Sequence, residues 1–435
     1  MESDPVYLIE EAFTNEFEDY FKRSLKTQIN TLKDVRHRLR QVEQAIGVRA
    51  GVIYIRFIPT SLASSETQCK AKSSLTKQQS QQPKNCLPTG NDQLELLMVT
   101  AEGKSIRHRV TGTNRARVLA ATKEFQLEVT NRSNTNTTSY LNSGKKLYQW
   151  LIAPLEADLQ ARNIHSLVFA MDGGLRSLPI AALPTKKGFL VEQYSVSLVP
   201  SLSLTEARYR DIRSLQVLAM GASEFAEQAP LPGVQVELAT ITEQLWNGQS
   251  FLNETFTLKN LKAQRRQHKY GIVHLATHAE FKPGTEKESY IQLWDRKLRL
   301  NELDELQLFD PPVELLVLSA CRTALGNQEA ELGFAGSALQ AGVDSTLATL
   351  WYVSDQGALA LMTEFYHQLS QVPIKSEALR QAQLAMIKGQ VYIENNRLYN
   401  SSKSISLPPK LSTSGKLNLS HPYYWAAFTL VGEPW

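Results

Sequence analysis

Residues 313–326 read VELLVLSACRTALG. Leu315, Leu316, Val317 and Leu318 follow one another without a polar residue, so a strand here is apolar on both faces. Such a strand belongs in the centre of a parallel sheet, with helices covering both sides. The predicted strand is 313–320, and the residue that follows it is Cys321. A second run, VHLATHAEF at 273–281, belongs to a predicted strand 270–277 and is followed by His278. Two core strands therefore each end on a residue suited to nucleophilic chemistry.

Around these two runs the chain alternates strand and helix from Arg213 onward. Predicted strands at 215–221, 250–257, 344–353 and 425–432 are interleaved with apolar-periodic helices at 234–246, 333–342 and 355–370, and YIQLWDRKLRL (290–300) reads as a hairpin. That rhythm predicts an α/β domain with a mostly parallel sheet, in which chemistry sits beyond the carboxyl ends of the strands.

The N-terminal half is more mixed. Residues 6–46 carry helical spacing, with Phe13, Phe17, Leu39 and Val42 on the apolar stripe. AGVIYIRFIP (50–59) and LELLMVT (94–100) read as strands of a hairpin. The segment 60–93 between them is rich in Ser, Gln, Lys and Thr, too poor in apolar residues to order itself, and is predicted to be a disordered insertion. Helices are expected at 116–130 and 145–163, and Asp172-Gly173-Gly174 is read as the tip of a hairpin over 166–180. The expected division is N-terminal amphipathic helices at 1–49, an α+β region at 50–212 and an α/β domain at 213–435.

Composition excludes several classes. Apolar residues make up 42% and charged residues 21% of 435, as in an ordinary globular chain with a large core. The net charge of +4 is too weak to argue for nucleic acid. No run approaches the ~18 apolar residues of a membrane span, and the acidic start lacks the apolar segment of a secretory signal. The three cysteines, Cys69, Cys86 and Cys321, do not make a disulfide framework; Cys69 and Cys86 could pair across their polar loop, but the chain reads as cytoplasmic, where free thiols are the default.

If strands 270–277 and 313–320 are neighbours, their ends lie ~5 Å apart laterally, within reach of an imidazole–thiol contact. A histidine that takes the thiol proton leaves a thiolate, the attacking form. Ala279, the residue after His278, and Cys321, the first beyond its strand, also offer backbone N–H groups for an oxyanion. The bland alternatives are an inert core cysteine and a hydrogen-bonded histidine. His274 and His278 have the spacing of a zinc pair, but on a strand they stand ~13 Å apart, too far to share an ion. No G-x-G-x-x-G, P-loop, H-E-x-x-H or G-x-S-x-G occurs, and no cofactor or metal is expected.

MDGGLRSLPIAAL, VPSLSL, VHLATHAEF, LLVLSACRTALG, GFAGSALQAGVDSTLATLWYVSD and HPYYWAAFTLVG occur in an order that resembles the CHAT family of caspase-like cysteine peptidases, which is related to separase. SACRT is similar to the surroundings of the caspase nucleophile. The resemblance covers roughly 145–435. It implies a caspase–hemoglobinase-like fold: a mostly parallel sheet flanked by helices, with His278 and Cys321 as the dyad. It also implies an N-terminal, catalytically silent, pseudo-caspase-like half. Ala279 stands where many relatives carry glycine.

The family is often associated with tetratricopeptide repeats, yet no 34-residue self-similarity is visible, so a repeat or other sensor is expected as a partner or fused segment. The leading expectation is a cysteine endopeptidase acting on a protein or peptide, with a basic residue before the scissile bond. Asp355, Asp172 and Glu280 are the candidate acids of its pocket. Asp355 reads equally as a helix N-cap, with Ser354 as the competitor, Asp172 as a turn residue and Glu280 as a solvated side chain. The alternative is a caspase-fold interaction module without turnover. A nucleic-acid adapter has only the weak charge behind it.

Overall fold

The computed structural model describes residues 4–22, 24, 27–59, 88–206, 209–323, 325, 327–336, 341–413 and 415–435, with backbone alone at 320–323 and 335. Of the insertion expected at 60–93, residues 60–87, with Cys69 and Cys86, lie outside these.

A single sheet of 13 strands crosses the molecule. In chain order the strands are β1 (Ala50–Ile58), β2 (Gln93–Thr100), β3 (Ile106–Arg109), β4 (Ser166–Met171), β5 (Ser195–Leu198), β6 (Gln216–Gly221), β7 (Gly248–Leu252), β8 (Tyr270–Phe281), β9 (Tyr290–Gln292), β10 (Lys297–Arg299), β11 (Leu315–Thr323), β12 (Ser345–Thr349) and β13 (Phe428–Gly432). The spatial order is β10-β9-β8-β11-β12-β13-β5-β4-β1-β2-β3, with β6 paired along the first half of β8 and β7 paired on β6. β8, β11 and β12 are mutually parallel, as are β1, β4 and β5. Strand β13 runs antiparallel to β12 and parallel to β5, and so joins the two halves. The expected α/β class and mostly parallel sheet are what the chain forms.

The helices that matter here are α1 (Pro5–Phe21), α2 (Leu32–Ile46), α3 (Arg115–Thr130), α4 (Leu141–Leu151), α5 (Gly233–Thr240), α6 (Leu258–Gln267), α7 (Gln328–Ala335), α8 (Asp355–Gln371) and α9 (Lys375–Ile387). The first two starts have a local cause. Asp4 caps α1 through Val6 N at 2.9 Å, and Thr31 with Asp34 forms a capping box at α2. The apolar stripes of α1 and α2 bury Ile9, Phe13, Val35 and Leu39 against Val52, Tyr54 and Val99 of β1 and β2. Within that layer Glu10 is fully buried and accepts from Tyr54 Oη at 2.7 Å, Ser203 N at 2.8 Å and Ser203 Oγ at 2.7 Å. The VPSLSL segment is thereby pinned to α1.

Several expectations are corrected. The segment 166–180 is no hairpin. β4 already has β1 on one side and β5 on the other, so no ladder remains for a returning strand. Leu175, Leu178 and Ile180 are apolar because they pack into the core from a turn, and Pro179 could donate nothing to a ladder. The helix expected over 145–163 starts at Leu141 and breaks at Ala153–Leu155, where Pro154 has no N–H to give. The helix expected at 333–342 begins earlier, at Gln328, and residues 337–340 lie outside the described set. Strand β3, strand β5 and a small four-stranded sheet within 392–418 were not anticipated, since each strand has only two to four residues.

Candidate active site

Strands β8 and β11 are hydrogen-bonded neighbours over most of their length. Both run farther than expected, to Phe281 and Thr323, so His278 and Cys321 lie inside the final turns of the ladder, not beyond it. Leu275 pairs with Leu318, but His278 pairs with Ala320 and Ala279 with Cys321. One extra residue on β8 is therefore accommodated between 275 and 278. A bulge of this kind re-aims side chains and strengthens the local twist. It falls where the other neighbour of β8 changes from β6 to the β9–β10 hairpin. His278 and Cys321 stand one register step apart on adjacent strands, roughly 6 Å between Cα atoms by strand spacing and rise.

The His278 ring is held on three sides. Its Nε2 lies 2.8 Å from the carbonyl oxygen of Ala229. A carbonyl only accepts, so Nε2 carries the proton, and in the neutral ring the lone pair is on Nδ1. Phe225 packs against the ring with centroids 4.6 Å apart, and Tyr352 stacks at 6.2 Å and 23°. Phe225 and Ala229 both belong to the loop 222–232 between β6 and α5. Burial, then the charge of Asp355, raises the Tyr352 phenol above its ordinary range.

The acids foreseen for a substrate pocket separate into three cases. Glu280 is two residues past His278 on β8 and only a quarter exposed; it takes a bond from Tyr290 Oη at 3.1 Å and an ion pair from Lys282 at 2.8 Å. Asp355 is engaged at the start of α5. Ser354 is the N-cap of α8, through Gly357 N at 3.2 Å, and the Asp355 carboxylate accepts from Gly233 N at 2.6 Å. Asp172 ends β4, five strand spacings from β8, or ~24 Å. It accepts from Phe57 N at 3.1 Å and Gly173 N at 2.8 Å and pairs with Arg115 at 3.6 Å. The three acids thus do not converge, because strand order, not sequence order, sets which loops share a mouth.

Other residues brace the surroundings of the site, and of these Glu331 was not singled out by the sequence. Glu331 on α7 is fully buried; it takes Gly174 N at 2.8 Å and the Ser177 hydroxyl, which ties the DGGLRS turn to the helix after Cys321. Gly174 has φ +88°, and an added Cβ would sit 2.7 Å from Leu119, so only glycine serves there. His274 lies in the core, bonded to Glu237 at 2.8 Å and Tyr366 at 3.1 Å. Among the described residues no three His, Cys, Asp or Glu side chains gather as a metal would require. A cleft of about 530 Å³ is lined by Phe225, Gln228, Leu293, Trp294 and Lys297 among others, and Phe225 is the lining residue that also packs on the His278 ring. The run QAPLPG at 228–233, with two prolines between strand and helix, was the available signal for a shaped loop.

The profile of the CHAT domain matches residues 141–433. The chain belongs to the CHAT domain family. The matched CHAT region runs from the start of α4 to the residue after β13, and leaves α1 to α3 and β1 to β3 outside. Two crystal structures of the Saccharomyces cerevisiae separase–securin complex, at 3.0 and 2.6 Å, are similar at 11% identity, with TM-scores of 0.46 and 0.47. Each alignment covers 92% of this chain and 31% of the separase complex chain. No curated protein sequence matches the chain. Among the described residues, no helix is long and apolar enough to cross a membrane.

Proposed function

We propose that this CHAT protein is a cysteine endopeptidase in which His278 and Cys321 act as a dyad on protein or peptide substrates. One observation carries the reading. The Ala229 carbonyl holds the Nε2 proton of His278, which leaves Nδ1 as a base on the strand next to the one bearing Cys321. In this reaction Nδ1 takes the Cys321 thiol proton and the thiolate attacks the scissile carbonyl. The oxyanion would use whichever N–H of Ala279 or Cys321 the ladder leaves open. His278 then gives its proton to the leaving amine, and water hydrolyses the thioester.

Of the three acids weighed for a basic residue before the scissile bond, Glu280 is the one beside His278. A guanidinium there would have to displace Lys282. Family association favours control by a protein sensor, tetratricopeptide-repeat or other, and a cytoplasmic setting fits the free-thiol chemistry. A second reading, an interaction module without turnover, draws on one feature: Ala279 is paired with both Ile291 and Cys321, so the ladder competes for its N–H.

The test is incubation of the purified chain with a diverse peptide library and mapping of cuts by mass spectrometry, with Cys321→Ala alongside. Cuts made by the parent chain alone, mainly after Arg or Lys, support the whole reading. Cuts after Leu, Ala or Asp keep the peptidase and discard the basic pocket. Cleavage that survives in Cys321→Ala removes the dyad.

A further inference from the structure

The loop 222–232 delivers two of the three contacts that hold His278, so what holds the loop matters to the imidazole. Its first end is tied to the sheet: Ala222 N donates to Ala276 O at 3.1 Å, and Ser223 N to Asn253 Oδ1 at 2.9 Å. Its neck is closed by Leu231 N on Ser223 O at 3.0 Å. The far end runs into α5, and that helix has no cap of its own. Its N-cap position is Pro232, which offers no side-chain acceptor. A first-turn amide without a partner is costly when shielded from water.

The missing acceptor comes from another helix. Asp355, at the first turn of α8, is released from capping its own helix because Ser354 does that. Its Oδ2 receives Gly233 N at 2.6 Å, and a Cβ on Gly233 would lie 2.6 Å from Oδ1, so the two helix starts are packed as closely as glycine permits. The carboxylate also lies between two helix N-termini whose dipoles would otherwise oppose each other. Three residues before Asp355, Tyr352 forms the third contact on His278. The same short segment therefore holds one side of the imidazole directly and the other through the loop.

We infer that Asp355 is a positioning residue: by capping α5 from α8 it fixes the loop 222–232, and with it the Ala229 carbonyl that selects the Nδ1 lone-pair form of His278. This deepens the peptidase reading and rests on it for its kinetic consequences, though not for the state of the imidazole. The acceptor oxygen is the essential part, so Asn can replace Asp, while Ala or Ser, which cannot reach Gly233 N, cannot.

The experiment uses the whole chain with labelled histidine in four forms: parent, Asp355→Asn, Asp355→Ala and Asp355→Ser. Nitrogen–proton correlation spectra of the His278 ring should show the proton on Nε2 in the parent and in Asp355→Asn. In Asp355→Ala, or in Asp355→Ser should the first not fold, the ring should show mixed or exchanging tautomers. With a peptide cut by the parent chain, kcat should fall about 10–100-fold in the Ala or Ser form with KM nearly unchanged, and Asn should recover most of it. An unchanged His278 spectrum in the Ala or Ser form overturns the inference, as does an Asn form that behaves like Ala. If the parent cuts no peptide, the peptidase reading fails by itself while the spectra still decide this one.

Discussion

The carboxyl ends of β4 and β8 make a natural pair. Both are buried parallel strands, one in each half of the same sheet, and each carries at or near its carboxyl end a residue able to hold a proton. At β4 that residue is Asp172, and everything around it closes the site: Arg115 pairs with it, the Phe57 and Gly173 amides bond to it, and the turn beyond it packs on α7 through Glu331. Burial, set against the two nearby arginines, leaves the Asp172 carboxyl raised above its usual range. At β8 the residue is His278, one ring nitrogen is tied, and the Phe225 ring packed on it faces a 530 Å³ cleft. A strand end becomes a candidate reaction site when its polar group keeps a free valence beside open space; when every valence is satisfied it becomes a brace.

The sharpest way to break this comparison is to disarm both ends. Cys321→Ala and His278→Ala should each lower kcat by about 10³-fold or more, and the double variant should be no worse than the singles, because the pair acts as a unit. Asp172→Asn, measured on the same peptide, should change kcat/KM by less than about 3-fold. A comparable loss in Asp172→Asn would mean that the N-terminal half is not a brace.

Next in size is the tie between the halves. Glu331→Ala leaves Gly174 N and the Ser177 hydroxyl without their buried acceptor, and should lower unfolding stability by about 3 kcal/mol in urea titration. Denaturation indistinguishable from the parent would show that the turn after β4 holds without it.

A smaller effect concerns pH at the seam below β11 and β12. There Asp344 is raised to about 7 by burial and then by its bond to Glu314, with Lys375 opposing. Its folded value exceeds its unfolded one, so the folded chain binds the extra proton. Stability should rise as pH falls from about 8 through 7, and the gain should be complete near the unfolded value of 3.8. Thermal melts of Asp344→Asn should lose that slope between pH 8 and 6; a slope that stays assigns the titration elsewhere.

Smallest is Glu280→Gln. Burial first, and Glu280 second, push the Tyr290 phenol up to about 12, so the variant should titrate at lower pH by ultraviolet absorbance. If Glu280 reads a basic side chain, kcat/KM for Arg substrates should fall about 5-fold while Leu substrates are unaffected. An equal change for both would remove Glu280 from specificity.

Much of this was legible in the chain itself. Four consecutive apolar residues at 315–318 required a strand covered on both faces, and the alternation after Arg213 required parallel neighbours. The helices within 6–46 and at 116–130 were readable because apolar spacing of three and four residues is a local pattern. The apolar run 175–183 misled for the same local reason: periodicity reports burial, and a core-filling turn buries as much as a strand.

Local spacing thus determined most of the longer elements, the class of the sheet and the identity of the residues near its strand ends. Tertiary structure alone decided how those residues are used. The bulge that sets His278 against Ala320 arises from pairing with a strand some forty residues away. The bond that selects its tautomer joins residues 49 apart, and the one that steadies that loop joins residues 122 apart. Contacts at such separations leave no period in a sequence, because they depend on where two independently formed elements come to rest and not on the spacing within either.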